Sequence, residues 1–262
     1  MARTGMNRRG FLTAAAVSAS GLALSGCDAL DGFARGDSAV RKILESAESL
    51  TYRVQRMLVG DALAREFGES DIRQPQRPNG STSPQNEDYL TLARQGFSSY
   101  RLPVTGLVER PLSLSLENIQ AMASRTQITR HDCVEGWSCI AKWTGVPLAT
   151  VLDQAGLKPK ARYVVFQCFD VMEQGLSGAV LYYESIDLRD ARHPQTILAY
   201  GLNGGVLPVE NGAPLRLRVE RQLGYKMAKY VRAIEVTETL APFGLGKGGY
   251  WEDRGYEWYA GI

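Results

Sequence analysis

The sequence has no block of basic residues and no alternation of aromatic and basic residues, and this absence argues against a nucleic-acid-binding protein. The net charge of the 262 residues is only +2. Part of that excess lies near the start, at Arg3, Arg8 and Arg9, so the rest of the chain is close to neutral. No internal repeat and no low-complexity tract is present. The 44% hydrophobic content is enough for one large domain with a sizeable core.

No apolar run is long enough for a stable membrane span, which needs about 20 residues. The longest candidate, Thr13 to Leu24, follows the arginine pair Arg8-Arg9 and is typical of a twin-arginine signal peptide. The sequence Leu24 to Cys27 resembles a bacterial lipobox with Cys27 as the acylated residue. We therefore expect export in the folded state, a periplasmic location and a lipid anchor at Cys27. A plain membrane anchor with a chance arginine pair is the alternative.

Cysteines are scarce. If Cys27 carries lipid, then Cys133, Cys139 and Cys168 remain. An odd number in an exported protein leaves at least one thiol outside internal disulfide pairing. One metal-bound thiolate would explain this count, and one disulfide plus a buried thiol would explain it equally well.

After the predicted signal peptide, the sequence predicts one helix and one loop. Apolar residues recur at helical spacing from Ser38 to Glu66, with a cap at Asp37 or Ser38. We interpret this stretch as an amphipathic helix packed on the flank of the domain, and a partner-binding helix is the alternative. Ser70 to Glu87 is polar and rich in proline, and it predicts a linker or surface loop.

The remainder mixes short strands with short helices. A helix is predicted from Ser115 to Ala123. The predicted strands, identified by apolar runs or by alternation, are Tyr100 to Val108, Ala161 to Phe169, Leu215 to Val219 and Val231 to Val236. Strands and helices do not alternate regularly, and this favours an α+β fold.

The segment from His131 to Cys139 (HDCVEGWSC) carries the most chemical information. Cys133 lies between ionisable residues, and nearby charges tune the pKa of a thiol and so its capacity to act as a thiolate. Cys133 is therefore a candidate metal ligand or nucleophile. The segment alone does not decide between these roles.

From about Pro84 to Val236 the chain resembles the sulfite-oxidase fold family of molybdopterin enzymes. Within it, the chain is most similar to the catalytic subunit of the periplasmic methionine-sulfoxide reductase system. Four motifs carry the resemblance in the family's order: His131-x-Cys133-Val134-Glu135-x-Trp137-Ser138, His193-Pro194-x-Thr196-x-Leu198, Asn211-Gly212-Ala213-Pro214-x-Arg216 and Gly224-Tyr225-Lys226-x-x-Lys229.

The resemblance implies a sulfite-oxidase-type domain of mixed sheets and short helices. It also implies a molybdenum cofactor with one pterin and a terminal phosphate. In this family the metal is held by two dithiolene sulfurs and one protein thiolate, and Cys133 matches that thiolate. A soft anionic sulfur suits a metal that changes oxidation state. A buried structural cysteine is the alternative.

Eight further positions match cofactor-binding positions of the family. They are Asn86, Tyr89, Cys168, Asn211, Arg216, Met227, Ala228 and Lys229. Arg216 would reach the terminal phosphate, because a guanidinium offers planar, bidentate hydrogen bonds to phosphate oxygens. Leu90 stands where the family has an acid. Cys168 stands where it has a threonine, so a hydroxyl hydrogen bond near the metal is lost.

The only histidines, His131 and His193, belong to these motifs. Each is either a group that orients the metal-binding loop or a structural histidine with its hydrogen bonds satisfied. A zinc site built from His131 and the three remaining cysteines matches no standard zinc spacing.

The residues after Cys133 bear on the substrate. Sulfite oxidases gather positive charge there, whereas this chain has Val134 to Trp137 with an acid at Glu135. A carboxylate would repel a dianion at short range, so the sequence favours a neutral sulfoxide or similar oxo donor over sulfite. Lys142, Arg189 and Arg192 are candidate sources of positive charge from elsewhere.

The predicted organisation is a signal peptide with lipobox (1–27), an N-terminal helix and linker (28–83) and a molybdopterin-binding oxidoreductase domain (84–262). The predicted activity is two-electron oxygen-atom transfer with a small-molecule oxo donor or acceptor, at a molybdenum that cycles between its VI and IV states. No Cys-x-x-Cys-His haem motif is present, so electrons would be exchanged with a separate partner, such as a membrane haem protein or a soluble cytochrome. The alternatives are sulfite oxidation and a non-catalytic lipoprotein with a degenerate cofactor pocket.

Overall fold

The computed structural model describes residues 50–57, 60–175 and 178–262. The chain divides into two units, residues 1–60 and 61–262. The larger unit therefore starts before the predicted domain boundary at residue 84. The predicted signal peptide, the Cys27 lipid site and the helix cap at Asp37 or Ser38 lie outside the described residues.

The predicted helix from Ser38 to Glu66 is only partly observed. Residues 50–57 are helical, and Leu50 and Met57 are exposed. Residues 61–66 are not helical, so the predicted end was wrong. In the larger unit Glu66 forms a bridge with Thr129, and the Phe67 N–H donates to the Ile128 carbonyl at 2.9 Å. The segment follows a strand edge because that edge satisfies its backbone hydrogen bonds.

The larger unit contains ten strands and four short α-helices among its described residues. The strands are β1 (Arg101–Gly106), β2 (Leu112–Ser115), β3 (Arg125–Cys133), β4 (Trp137–Pro147), β5 (Tyr163–Gly175), β6 (Gly178–Asp187), β7 (Ile197–Leu202), β8 (Gly205–Val206), β9 (Arg216–Arg218) and β10 (Val231–Thr237). The helices are α1 (Glu87–Arg94), α2 (Leu116–Gln120), α3 (Leu148–Ala155) and α4 (Leu188–Ala191). The predicted strands and the predicted helix after Ser115 are all present, with boundaries shifted by a few residues.

The first sheet has the strand order β2-β1-β10-β5-β6. All neighbours are antiparallel except β1 and β10, which run parallel. Val164, Val165 and Phe166 of the interior strand β5 are fully buried, and such a continuous apolar run is typical of a strand that is covered on both faces. This sheet contributes most strands to the main hydrophobic core, and α3 packs into that core through Leu148 and Leu152.

The second sheet has the order β3-β4-β7-β8, and β9 pairs with β7. Its strands β3 and β4 form a hairpin in which Cys133 lies opposite Trp137. The three connecting residues end at Gly136, which has a φ of +84°. A hairpin loop of three residues commonly needs a left-handed last residue, and glycine adopts that conformation without strain. The hairpin therefore places Cys133 at the end of a strand, beside a tight turn.

The segment after β10 has little regular structure, and buried charge holds it to the body. Glu252 begins a short 3-10 helix (Glu252–Arg254). Its carboxylate accepts from the Lys226 Nζ at 2.5 Å, and Glu184 of β6 accepts from the same Nζ at 2.5 Å. All three side chains are essentially inaccessible to solvent. Burial raises the pKa of Glu184 well above its ordinary value, and the Glu252 carboxylate acts in the same direction, whereas the charge of Lys226 opposes the shift.

Within the described residues, none of the helices has the length and apolar character that crossing a membrane requires.

Removal of the buried ammonium should destabilise the fold strongly. We expect Lys226→Met to lower the free energy of unfolding by about 3–5 kcal/mol, because it leaves two buried carboxylates without a counter-charge. Lys160→Ala is the control, because Lys160 pairs with Glu238 at the surface at 3.8 Å and exposed pairs contribute roughly 0–1 kcal/mol. Urea unfolding measures both. Equal effects of the two substitutions would show that the buried triad of Lys226, Glu184 and Glu252 does not stabilise the fold.

Candidate active site

A cavity of about 190 Å³ opens beside the β3–β4 hairpin. Residues from both sheets, from the segment before α1 and from the C-terminal segment line it. The lining residues are Asn79, Gly80, Ser81, Cys133, Val134, Glu135, Asp170, Met172, Tyr182, Gly224, Tyr225, Met227, Lys229, Trp251 and Tyr256. Three of the sequence-predicted site residues, Cys133, Met227 and Lys229, therefore share one cavity.

Cys133 is half-buried and carries a free thiol. Burial raises the pKa of this thiol, whereas hydrogen bonds from the Glu135 and Val134 backbone act in the opposite direction. The carboxylate of Glu135 also raises the pKa, and the charge of Arg77 lowers it. A thiol of this kind is mostly protonated at neutral pH, and a bound metal ion replaces the proton. Cys133 thus fits the predicted role of a protein ligand to a metal, and this assignment stays a prediction.

A buried polar network supports the strand that carries Cys133. The His131 Nδ1 lies 2.9 Å from Arg218 Nη1, and Arg218 also donates to both carboxylate oxygens of Glu220. Because a guanidinium only donates, Nδ1 is the acceptor and the proton of His131 is on Nε2. Burial, with the nearby Arg218 charge, lowers the pKa of His131 well below its ordinary value. His131 is therefore a neutral group of the supporting network and does not line the cavity.

The approach of the Gly224 turn to this network requires glycine. A Cβ at Gly224 would overlap the His131 ring. Gly224 opens the 3-10 helix Gly224–Lys226, which leads to Met227. The close approach brings the Gly224-Tyr225-Lys226 motif against the strand that ends in Cys133, so two of the four sequence motifs meet at the cavity.

Three of the predicted cofactor-binding residues form a cluster of hydrogen-bond donors. The Arg216 Nη1 donates to the Asn211 carbonyl at 2.9 Å, and its Nη2 lies 3.3 Å from Asn79 Oδ1. The Lys229 Nζ donates to the backbone carbonyls of Asn79 at 2.7 Å, Glu210 at 2.9 Å and Ser81. All three predicted residues are buried. The Nε of Arg216 and the Nδ2 of Asn211 have no partner within the described part of the chain.

The charges in this cluster fit an anion. Burial, together with the nearby charge of Arg218, lowers the pKa of Arg216 to about 9. Burial, together with the charge of Arg216, lowers the pKa of Lys229 to about 7. Buried cations that face mainly carbonyl groups are stabilised when an anion binds, and guanidinium and ammonium groups suit phosphate oxygens. The unpaired donors and the two desolvated cations therefore fit the terminal phosphate of the cofactor that the sequence implies.

Other predicted site residues lie away from the cavity lining. Asn86 caps α1, and its side-chain oxygen accepts from the Tyr89 N–H at 3.1 Å. Tyr89 is buried, and its hydroxyl donates to the Ala213 carbonyl at 2.8 Å. Cys168 is fully buried in β5, and burial raises its pKa well above the ordinary value. Ala228 is buried, and its carbonyl accepts from the Leu217 N–H at 2.7 Å. Their assignment to the cofactor stays a prediction.

The second histidine is also placed away from the cavity lining. The Nδ1 of His193 accepts from the Gln195 N–H at 3.3 Å, and burial lowers its pKa.

The free state of all three described cysteines excludes the disulfide alternative in this structure. Within the described ranges, no group of three or more His, Cys, Asp or Glu side chains is arranged to hold a metal ion. The geometry therefore does not support the zinc alternative.

Several cavity residues were missed by the sequence reasoning. Asp170 of β5 is buried, and its Oδ2 accepts from the Ser81 hydroxyl at 2.9 Å. Its Oδ1 has no partner among the described residues. Trp251 and Tyr256 come from the C-terminal segment, which contains none of the four sequence motifs. Gly224 and Tyr225, which also line the cavity, lie inside a motif and so had a local sequence signal.

Comparisons with known proteins agree with this arrangement. A family model described as an oxidoreductase molybdopterin-binding domain matches residues 90–242. The chain belongs to this family, and it is a molybdenum-dependent oxidoreductase with a molybdopterin cofactor. The predictions of the family, the cofactor and the sulfite-oxidase-type α+β fold are confirmed.

Similar proteins include YedZ1 of Azospira oryzae, which carries the provisional name of a protein-methionine-sulfoxide reductase subunit. It is 36% identical over 97% of this chain and 87% of that protein. The protein-methionine-sulfoxide reductase catalytic subunit MsrP of Ralstonia nicotianae is 33% identical over 90% of this chain and 70% of that protein. The MsrP of Xanthomonas axonopodis is 40% identical over 55% of this chain, but over only 47% of its own length.

A solved structure, the sulfane dehydrogenase SoxCD of Paracoccus pantotrophus, aligns with a TM-score of 0.48 and 24% identity. The alignment covers 54% of this chain and 39% of that chain.

Asp170 should make the stability of the cofactor-free protein dependent on pH. Burial raises its pKa to about 6, so the folded state binds the proton more tightly than the unfolded state. The resulting stabilisation is complete below the ordinary pKa of 3.8 and is lost as the pH rises through about 6. From about pH 4 to about pH 8, Asp170→Asn should therefore gain up to about 3 kcal/mol relative to the unmodified protein.

Urea unfolding at the two pH values measures this difference. Asp88→Asn, which removes an exposed carboxyl, is the control and should change the pH dependence little. If Asp170→Asn and the unmodified protein respond identically to pH, the carboxyl is not desolvated in the folded state.

Proposed function

We propose that this protein reduces a sulfoxide to a thioether, with Cys133 as the protein ligand of the molybdenum cofactor. The observation that carries this proposal is the position of the Cys133 thiol in a cavity that also contains the Lys229 ammonium and a largely apolar aromatic lining. The names of the relatives, which refer to protein-methionine-sulfoxide reductases, support the same substrate class.

The electrostatics near Cys133 support a neutral substrate. Glu135 lines the cavity, and its carboxylate accepts from the Trp137 Nε1 at 2.8 Å. The cations that the sequence offered as compensating charge pair with acids instead and do not line the cavity. They are Lys142 with Glu69 at 2.7 Å, Arg189 with Asp61 at 2.9 Å and Arg192 with Asp153 at 2.7 Å. The described residue Arg77 lies over the Trp137 ring and does not line the cavity. A dianion such as sulfite would be repelled by the Glu135 carboxylate, and Lys229 is the one cation in the cavity lining among the described residues.

Each residue at the site would have a role that follows from its position. Arg216, Lys229 and Asn211 would hold the phosphate end of the cofactor, and Cys133 would provide the protein sulfur. When bound, the cofactor supplies two-electron redox chemistry and oxygen-atom acceptance. The protein orients the substrate and supplies protons, because conversion of a sulfoxide to a thioether and water consumes two protons and two electrons. Asp170, whose carboxyl lines the cavity, is positioned to hold one of those protons.

The electrons would come from a separate partner, since the sequence contains no Cys-x-x-Cys-His motif. A membrane haem protein fits the proposed periplasmic location, and a soluble cytochrome is the alternative. The twin-arginine leader would direct export, and the lipid at Cys27 would keep the enzyme at the membrane surface.

Replacement of Arg8-Arg9 by lysines should abolish export in cell fractionation, and unchanged export would contradict this route.

Cys133→Ala should abolish turnover while the protein stays folded. Replacement of the thiolate removes the only protein ligand that we assign, and truncation of one half-buried side chain has a modest effect on packing. The measurement is reduction of sulfoxides and N-oxides, and oxidation of sulfite, by purified protein with an artificial electron mediator. Circular dichroism monitors the fold. Cys139→Ala is the control, because Cys139 is in the same hairpin and its side chain does not line the cavity.

Turnover by Cys133→Ala at the level of Cys139→Ala would contradict the ligand assignment. Sulfite oxidation without sulfoxide reduction would contradict the substrate class. Absence of molybdenum from protein matured in a competent host would favour the non-catalytic lipoprotein.

A further inference from the structure

The C-terminal segment contributes an aromatic wall to the active-site cavity. Trp251 and Tyr256 line the same cavity as Cys133, although both lie after residue 242, where the match to the family model ends. Their rings stack with centroids 5.3 Å apart and an interplanar angle of 28°. Tyr225 meets Tyr256 edge to face at 5.2 Å. We call these three side chains the aromatic wall.

Specific contacts hold the wall in place from several elements of the body. The Tyr225 hydroxyl donates to the Glu257 carbonyl at 2.7 Å. The Tyr250 hydroxyl, one residue before Trp251, donates to Glu173 at 2.6 Å. The carboxylate of Glu252, one residue after Trp251, accepts from the buried Lys226 at 2.5 Å. The wall is therefore preorganised, and little ordering entropy is lost when a ligand packs against it.

The wall keeps apolar surface accessible instead of burying it in the core. Trp251 is only partly buried, and Tyr256 is 39% exposed. Val134, next to Cys133 and also in the cavity lining, is 47% exposed. Large apolar side chains that stay accessible inside a concave site are typical of a surface that binds a ligand.

We propose that Trp251 and Tyr256 determine substrate selectivity by packing against the apolar substituent of the sulfoxide. This inference rests on the proposed function. Aromatic rings attract aryl groups and thioether sulfur beyond the effect of apolar burial. A sulfoxide with an aryl or long alkyl substituent reaches the wall and gains this contact, whereas dimethyl sulfoxide has no substituent to offer it. The wall therefore favours bulky apolar sulfoxides over small ones.

The test compares two sulfoxides in the holoenzyme with an artificial electron donor. We expect Trp251→Ala and Tyr256→Ala each to raise the KM for methyl p-tolyl sulfoxide about 3- to 10-fold. Both should leave kcat and the KM for dimethyl sulfoxide unchanged. Trp251→Phe should restore most of the selectivity, because it returns an aromatic face. Phe243→Ala is the control, because Phe243 belongs to the C-terminal segment but does not line the cavity.

An equal change for both sulfoxides, an unchanged KM for both, or a fall of kcat for both would overturn the inference. An equal change for both sulfoxides, or a fall of kcat for both, would show that Trp251 acts on the cofactor or on the fold instead. Calorimetric binding of the product methyl p-tolyl sulfide to the holoenzyme tests the wall independently of turnover. If the unmodified enzyme reduces neither sulfoxide, the proposed function fails. Binding that weakens in Trp251→Ala but not in Phe243→Ala would still support the wall, and equal binding would refute it.

Discussion

Burial of positive charge without a matching acid is the constraint on which the site depends. Arg216 and Lys229 are both buried, and their described hydrogen-bond acceptors are carbonyl and amide oxygens. Their pKa values are lowered because water is excluded and because each cation lies in the field of another. A fold retains such an arrangement when an anion completes it, and the phosphate of the molybdenum cofactor is the anion that this family provides. Both cations contact Asn79, and Lys229 also lines the cavity that contains Cys133.

The β3–β4 hairpin and the C-terminal segment line the cavity that contains the Cys133 thiol. The turn after Cys133 keeps the thiol accessible, while the network of His131, Arg218 and Glu220 supports the strand behind it. The triad of Lys226, Glu184 and Glu252 holds the C-terminal segment against the body and so positions Trp251. Buried charge thus occurs in two places: it is paired within the protein at Lys226, and at Arg216 and Lys229 it fits the phosphate of the cofactor.

The sequence predicted much of this. The buried strand before Phe169 and the alternating strand after Val231 were recognisable because burial on two faces or on one face leaves a local pattern. Cys133, Arg216 and Lys229 were predicted as site residues because each lies in a motif. Asp170 and Trp251 were not found, since their roles depend on packing between segments that are distant in the sequence. The helix was predicted to end too late in the chain, because helical spacing does not show that Glu66 will pair with Thr129 of the edge strand β3.

X-ray absorption at the molybdenum edge tests whether Cys133 supplies the one protein sulfur to the metal. We expect the sulfur coordination number of the holoenzyme to fall by one in Cys133→Ser, and to stay unchanged in Cys139→Ser and Cys168→Ser. An identical sulfur shell in the holoenzyme and in Cys133→Ser, or the loss of one sulfur on replacement of Cys168, would show that Cys133 is not the ligand.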